Sequence, residues 1–220
     1  MQSSIPHTIN GNTFWLSPAR CIYWEEQKSL ILSDLHFGKT GHFRKEGIGV
    51  PQSVFKEDLQ RLFAQVQFYK PLQLIIVGDM FHSKENKEME LFMRWRNDLP
   101  ETKFLLIMGN HDILHNSFYK AASIEIISDC LQTNGFGFIH DPSAICIEPE
   151  NASYYFTGHL HPGVTLRSGS RQSMSFPCYY FGEQYAILPA YSKFTGYVNI
   201  KPKRGDAVYA IVNQSLVKVK

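Results

Sequence analysis

The strongest constraint on the fold is an alternation between short apolar runs and longer stretches of helical periodicity. Three apolar runs have the length and composition of buried strands: 30–32, 72–77 and 104–108. Two stretches between them repeat apolar residues at the spacing of an amphipathic helix: 52–69 and 89–99. Strands that alternate with helices predict an α/β fold whose sheet contains parallel strands.

The rest of the chain is rich in short β-like segments. Two are predicted before the first helix, 13–16 and 21–24, and seven after residue 124: 124–127, 137–139, 154–157, 174–180, 185–188, 206–212 and 216–219. This change of pattern predicts a second sheet packed against the first. With 220 residues, of which 44% are hydrophobic, the chain can bury a sizeable core, and we predict a single domain over residues 1–220.

The cysteines and the N-terminal residues bear on the cellular compartment. Cys21, Cys130, Cys146 and Cys178 form no C-x-x-C pair, which argues against a zinc ribbon or a redox motif and predicts ordinary buried thiols. Residues 1–20 lack the basic start and apolar middle of a signal peptide, and no apolar run approaches the roughly 20 residues that span a bilayer. We therefore expect a cytoplasmic protein.

The C-terminal quarter combines basic and aromatic residues. The net charge of the whole chain is only +2, but residues 167–220 contain eight Lys and Arg and two acidic residues. Six tyrosines are interspersed among them: Tyr179, Tyr180, Tyr185, Tyr191, Tyr197 and Tyr209. This composition is typical of a nucleic-acid-binding surface. It is equally typical of strands that use aromatics for packing and Lys at their edges, so both interpretations stay open.

Side chains that bind divalent cations follow five of the apolar runs, in this order: Asp34 and His36, Asp79, Asn110 with His111, His140, and His159 with His161. In an α/β sheet, ligands bind beyond the carboxyl ends of the strands, which is where these residues fall. A D-x-H or a Gly-Asp pair alone is weak evidence, whereas G-N-H-D is much less expected by chance. The ordered set predicts a single site that binds two metal ions.

These residue types suit the hydrolysis of phosphate esters. A pair of divalent cations about 3.5–4 Å apart lowers the pKa of water, offsets the substrate charge and holds the attack in line. Carboxylate, imidazole and amide oxygen ligands without thiolate are compatible with manganese, iron or zinc. His111 is placed to protonate the leaving oxygen, and we expect Asp112 to orient its imidazole, so both are candidate catalytic residues.

The series D-x-H, G-D, G-N-H-D, H and G-H-x-H, from Asp34 to His161, resembles the calcineurin-like metallophosphoesterase superfamily. The resemblance implies a four-layer α-β-β-α sandwich of two mixed β-sheets flanked by helices. It implies one metal held by Asp34, His36, Asp79 and His161, and a second held by Asp79, Asn110, His140 and His159. His111 takes the role of catalytic acid.

A narrower resemblance covers residues 33–196. Many members of the superfamily read G-D-x-x-D, whereas this chain has His82 at the last position. Segments such as SDLHFGKTGHFRKEGIGVP, GDMFHS and FPCYYFGEQYAILPAYSKFTG resemble the bacterial ligase-associated DNA damage response phosphoesterases. That resemblance implies a manganese-dependent phosphodiesterase that acts as a DNA endonuclease. It also implies functional association with an ATP-dependent DNA ligase, a helicase and a predicted exonuclease.

The substrate side of the site is predicted from basic residues near the first motif. Lys39, His42, Arg44 and Lys45 lie in a Gly-rich loop where they can hold a nucleic-acid backbone, or simply be solvated. His82 either supports a metal ligand through a contact, or contacts the substrate, or is an exposed, solvated histidine. Our candidate substrate-binding residues are Lys39, Arg44 and His82. Two other functions stay open: a phosphatase for small phosphomonoesters or phosphoproteins, and a catalytically silent scaffold in a repair complex.

Overall fold

The computed structural model describes residues 3–39, 53–82, 87–145, 152–167 and 173–220. Seven strands form the first sheet in chain order: β1 Ile5–Ile9, β2 Asn12–Ser17, β3 Cys21–Trp24, β4 Ser29–Leu32, β5 Gln73–Val77, β6 Lys103–Ile107 and β7 Ile124–Ile127. Strands β1 to β4 pair antiparallel, and β4 to β7 pair parallel. The first sheet is therefore mixed.

Nine strands form the second sheet: β8 Cys130–Thr133, β9 Phe136–Ile139, β10 Tyr154–Thr157, β11 Pro162–Arg167, β12 Ser173–Phe181, β13 Tyr185–Ile187, β14 Val198–Asn199, β15 Ala207–Val212 and β16 Ser215–Lys218. Their order is β14-β11-β12-β13-β10-β9-β8, with β15 paired to β12 and β16 to β15. Strands β9, β10 and β13 run parallel, and most other pairs are antiparallel. This sheet is also mixed.

In the described segments, three α-helices pack against the outer face of the first sheet: α1 Ser53–Tyr69, α2 Lys87–Asn97 and α3 Asn116–Ala121. A short 3-10 helix, Pro142–Ala144, lies between β9 and β10 of the second sheet in sequence. The buried faces of the helices carry Phe55, Leu62, Phe92, Trp95 and Tyr119, which join the first hydrophobic cluster. The predicted helix over 52–69 is confirmed almost to the residue.

Alternation along the central strands divides the core into two layers. In β5, Leu74 and Ile76 face the helices, while Ile75 and Val77 face the second sheet. The layer between the sheets is filled by residues of both, including Phe14 and Phe138. Because side chains alternate with a period of two, a strand buried on both faces reads as an uninterrupted apolar run. The predicted face-to-face packing of two mixed sheets is confirmed.

The described residues differ from the expectations in three places. Strand β7 continues the first sheet and does not open the second. Helices in the described ranges pack only on the first sheet, and the outer face of the second carries a small cluster of strand residues: Val164, Cys178, Val208 and Ala210. Four strands and one helix were not predicted: β1, β8, β11, β14 and α3.

Two of the predicted buried thiols, Cys21 and Cys178, are buried, Cys130 is half-buried, and Cys146 lies outside the described residues. None of the helices in the described segments is both long enough and apolar enough to cross a membrane.

Candidate metal centre

The carboxyl ends of five strands converge on one edge of the sandwich. Strands β4, β5 and β6 run parallel in the first sheet, and β9 and β10 run parallel in the second. The backbone N–H of His159 donates to the Asp34 carboxylate at 3.2 Å, which joins the ends of the two sheets. This edge therefore collects the residues that follow each strand: Asp34 and His36, Asp79, Asn110, His140, and His159 with His161.

One set of ligand atoms gathers around Asp34. His161 Nε2 lies 3.2 Å from Asp34 Oδ1 and 3.4 Å from His36 Nε2. The ligand atoms of these three residues all lie within 4.8 Å of one another. Metal–ligand bonds of about 2.0–2.2 Å place two ligands of one ion about 3–4.4 Å apart, so this set fits a divalent cation.

A second set gathers around Asp79 and His140. His140 Nε2 lies 3.5 Å from Asp79 Oδ1 and 3.2 Å from Asn110 Oδ1. The ring of His159 is 5.2 Å from that of His140, between centroids. The other oxygen of Asp79, Oδ2, lies 4.0 Å from His36 Nε2, so the two oxygens of this carboxylate face the two sets. Asp79 is therefore positioned to bridge two ions, as the sequence predicts.

Asp34 lies close to both sets of ligand atoms, whereas the sequence assigned it to one. A carboxylate oxygen of Asp34 also lies within 4.8 Å of one ligand oxygen of Asp79 and one ring nitrogen of His140. Its Oδ2 lies 2.5 Å from the hydroxyl of Ser33, which is also 2.7 Å from the carbonyl of Val77. Sequence reasoning missed Ser33, although its position directly before Asp34 was the available signal.

The orientation of His140 follows from its hydrogen bond. Its Nδ1 lies 3.0 Å from the carbonyl oxygen of Val77, which can only accept, so Nδ1 carries the proton. Nε2, which faces Asp79 and Asn110, is then the nitrogen that would bind a metal once it has lost its proton. Such a second hydrogen bond fixes the tautomer and the direction of a metal-binding histidine.

Burial and the neighbouring charges set the protonation of the cluster. Burial lowers the pKa of His36 to about 3, against the opposing effect of Asp34, so its ring is neutral. Burial raises the pKa of Asp79, but the hydrogen bond and charge of His140, the N–H of His111 and the charge of His36 together outweigh this and hold that pKa at about 2. Burial lowers the pKa of His140, yet the same hydrogen bond and the carboxylate charges bring it to about 9. The carboxylates thus create a negative field that suits cations.

The backbone at five of the seven predicted ligands is in the left-handed region. The φ angles are +54° at Asp34, +48° at His36, +50° at Asp79, +65° at His159 and +45° at His161. Residues other than glycine pay about 1–2 kcal/mol for this conformation. Strain of this kind persists where the surrounding structure enforces it, and it clusters at functional sites.

Two glycines allow the ligands to approach closely. A Cβ added at Gly78 would overlap the ring of His140, and one added at Gly109 would overlap the carboxylate of Asp79. The Gly that precedes Asp79 and the Gly that precedes Asn110 are thus required by the close packing of ligands from neighbouring strands.

Two of the three candidate substrate residues lie beside the ligands. His82 has its ring 4.4 Å from that of His111, which in turn is 5.5 Å from the ring of His36. Burial lowers the pKa of Lys39, and the charges of Asp79 and Asp34 partly offset this. The ammonium group of Lys39 is therefore close enough to interact with these two carboxylates. Arg44, like His42 and Lys45, lies outside the described residues.

Asp112 has a different role from the one expected. Its Oδ1 accepts from the N–H of Phe81 and its Oδ2 from the N–H of Gly109, each at 3.0 Å. Both oxygens are thereby directed at backbone, and the described contacts of Asp112 include none with the imidazole of His111. Asp112 ties the loop that carries Asp79 to the loop that carries Asn110.

A buried ion pair supports the backbone of Asp34 from the other side. Arg61 contacts Asp58 at 2.8 Å and donates to the carbonyl of Tyr191. The N–H of Tyr191 donates to the carbonyl of Ser33 at 2.8 Å, next to Asp34. Sequence reasoning missed this support, because nothing local in the helix indicates the contact of Arg61 with Tyr191, 130 residues later.

Comparison with known proteins agrees with this geometry. The model of the calcineurin-like phosphoesterase family matches residues 28–132. The crystal structure of Pseudomonas putida nuclease MPE is similar with a TM-score of 0.81 and 26% sequence identity, over 98% of this chain and 100% of that one. Residues 28–132 thus carry a calcineurin-like phosphoesterase domain.

Two other solved structures resemble this phosphoesterase at 18% identity. One is AQ665 from Aquifex aeolicus, with a TM-score of 0.43 over 60% of this chain and 78% of that one. The other is Yfce, a phosphoesterase from E. coli, with a TM-score of 0.42 over 87% and 97%. Both likenesses are too weak to bear on the site. Comparison with curated protein sequences gives no match.

The arrangement explains how a calcineurin-like phosphoesterase acts as a metal-dependent hydrolase. When bound, a pair of divalent cations supplies positive charge against the phosphate and lowers the pKa of the attacking water. The two sets of ligands described above would hold these cations. His111, whose N–H is anchored on Asp79 Oδ1 at 2.9 Å, presents its imidazole beside them, where it can donate a proton to the leaving oxygen.

The tyrosines of the C-terminal quarter mostly serve packing in this phosphoesterase. Tyr179, Tyr191 and Tyr209 are buried, and the hydroxyl of Tyr179 donates to backbone carbonyls of the first sheet. Tyr180 and Tyr185 are half-buried, and Tyr197 is 42% exposed. The packing interpretation therefore accounts for most of this aromatic content.

Proposed function

We propose that this phosphoesterase is a two-metal-dependent phosphodiesterase that acts as a DNA endonuclease in DNA repair. The observation that supports this most is the likeness to the P. putida nuclease, which extends over the whole of both chains. A likeness that includes strands far from the metal ligands supports a shared substrate class as well as a shared fold.

The electrostatics of the site favour a diester over a monoester. A phosphomonoester carries an extra negative charge and is usually bound by several convergent basic groups. Among the described residues, Lys39 has an ammonium group close enough to Asp79 and Asp34 for their charges to raise its pKa. His111 and His82, side by side, offer a proton donor and a polar contact to the leaving strand of a diester.

The metal, the partners and the location belong to the same proposal. The ligands are carboxylate, imidazole and amide oxygen, a set that accepts manganese, iron or zinc, and we favour Mn²⁺. The resemblance to the ligase-associated group leads us to propose functional association with an ATP-dependent DNA ligase, a helicase and an exonuclease. An enzyme with these partners works on cytoplasmic DNA.

The test uses metal-stripped protein reloaded with Mn²⁺. It is incubated in parallel with circular single-stranded DNA and with an aryl phosphomonoester, with His111→Ala and Asp79→Ala as comparison variants. Cutting of the circle by the wild type, with loss in both variants, is the expected result. Turnover of the monoester with intact circles would replace this proposal by a phosphatase, and inactivity on both substrates would favour a scaffold.

A further inference from the structure

A five-residue segment, 193–197, is held beside the metal ligands at both of its ends. On one side, the N–H of Ser192 donates to the carbonyl of Asp34 at 3.1 Å. On the other side, the N–H of Val198 donates to the carbonyl of His161 at 2.9 Å. Because Asp34 and His161 are predicted ligands of the same metal, the segment between these anchors borders that metal. We call residues 193–197 the rim segment.

The rim segment rests on a rigid support. The N–H of Lys193 lies 3.3 Å from Asp58 Oδ2, and Asp58 is buried in its ion pair with Arg61. The hydroxyl of Thr195 donates to the carbonyl of Ser192 at 3.0 Å. A support of this kind fixes the position of the side chains on the rim before a substrate arrives, which lowers the entropy cost of binding.

Tyr197 is an aromatic side chain of this rim that is held at both its hydroxyl and its ring. Its hydroxyl donates to the carbonyl of Ser175 at 2.7 Å. Its ring packs against Gly163, since a Cβ added there would overlap Cδ2 of the ring. With its ring against the backbone of Gly163 and its hydroxyl hydrogen-bonded, Tyr197 is still 42% exposed. A flat ring held in this way is suited to stacking on another flat ring.

Exposed apolar and basic side chains extend this surface to the metal ligands. Val198, which follows Tyr197, is 63% exposed, and Leu160, between the ligands His159 and His161, is 40% exposed. Lys193 is exposed at the other end of the rim segment. The surface thus offers an aromatic face, two apolar contacts and an ammonium group, all beside the site of phosphate hydrolysis.

We propose that Tyr197 stacks on a base of single-stranded DNA and that Lys193 contacts its phosphate backbone, so that the rim segment positions the strand over the metals. This inference rests on the proposed nuclease function. Bases of a duplex already stack on each other, so an exposed ring selects unpaired strands, and it does so without sequence preference because every base has a flat face. Stacking of this kind contributes about 1–3 kcal/mol per base, or about 5- to 150-fold in affinity.

The test compares three variants on two diesters. The substrates are a fluorescent single-stranded oligonucleotide and a bis-aryl phosphate without bases. Tyr197→Ala should raise the KM for the oligonucleotide by about 5- to 150-fold more than it raises the KM for the bis-aryl phosphate. Tyr197→Phe keeps the ring and should stay within twofold of wild type. Phe68→Ala, which removes an aromatic ring that is 66% exposed on α1, should leave both activities unchanged.

An oligonucleotide with abasic sites around the cleavage position separates stacking from structural damage. The abasic sites should weaken binding to the wild type by the same factor as Tyr197→Ala weakens binding of the normal oligonucleotide. In Tyr197→Ala, the abasic sites should cause no further loss of affinity. Equal KM values for Tyr197→Ala and wild type on the normal oligonucleotide would overturn the subsite while leaving the nuclease function intact. A rise in KM of Tyr197→Ala that is equal for both diesters would also overturn the subsite. A wild type that hydrolyses only the bis-aryl phosphate would overturn the nuclease proposal and the subsite with it.

Discussion

Replacement of Asp112 should weaken the fold and the metal site together, because this carboxylate holds two loops by their backbones. In Asp112→Ala, the N–H groups of Phe81 and Gly109 lose their acceptors. Each such loss costs about 1–3 kcal/mol, so we expect a loss of about 2–6 kcal/mol in the free energy of unfolding. Asp112→Asn keeps one acceptor oxygen and should lose about half as much.

The assay is urea unfolding with chelator present, followed by titration with Mn²⁺. Burial raises the pKa of Asp112 to about 6, so a buffer at pH 8 keeps its carboxylate ionised. His111→Ala is the comparison, because removal of that half-buried imidazole should reduce DNA cleavage by about 10²- to 10⁴-fold with little change in stability. If Asp112→Asn unfolds like the wild type but has lost its activity, the carboxylate acts in the chemistry and the structural explanation is refuted.

Three further predictions concern other parts of the molecule. Gly78→Ala should weaken Mn²⁺ binding by displacing the ring of His140, whereas Gly11→Ala, at φ +76° with open space around it, should cost only the backbone strain of about 1–2 kcal/mol. Burial lowers the pKa of His7 from 6.5 to about 4, so wild-type stability should fall between pH 6.5 and 4, and His7→Phe should fall less. At a free metal concentration of 100 times the Kd, binding stabilises the fold by about 2.7 kcal/mol per site. Removal of the metal should therefore lower Tm by about 5–11 °C per site.

These three predictions have distinct failures. Equal Mn²⁺ affinity in Gly78→Ala and Gly11→Ala would show that the ring of His140 tolerates the added methyl group. Parallel pH profiles of the urea midpoint for wild type and His7→Phe would show that this histidine titrates normally in the fold. A Tm that does not respond to chelator would show that the folded chain binds no metal more tightly than the unfolded chain does.

The candidate metal ligands could be proposed from sequence because of a simple geometric rule. Residues that follow parallel strands meet at one edge of a sheet, and the apolar runs before Asp34, Asp79 and Asn110 identified three such strands. The same runs gave the strand bounds to within one or two residues. The 3.6-residue period and Pro71 bounded the first helix, for which the prediction of 52–69 compares with Ser53–Tyr69.

Features that depend on contacts distant in sequence could not be predicted. Strand β1 contains Pro6, which weakens a strand pattern, yet it lies at the edge of the sheet where proline is tolerated. The acceptor role of Asp112 depends on how two loops fold beside each other, so the sequence left only its neighbour His111 as an apparent partner. The support of Asp34 by Arg61 joins a helix to a segment 130 residues later.

The most direct test of the account is a crystal structure of the Mn²⁺-loaded protein with anomalous scattering recorded at the manganese edge. The account predicts two peaks per chain, one enclosed by Asp34, His36 and His161 and the other by Asn110, His140 and His159, with a carboxylate oxygen of Asp79 directed at each. A single peak, or peaks away from the ends of β4, β5, β6, β9 and β10, would contradict it.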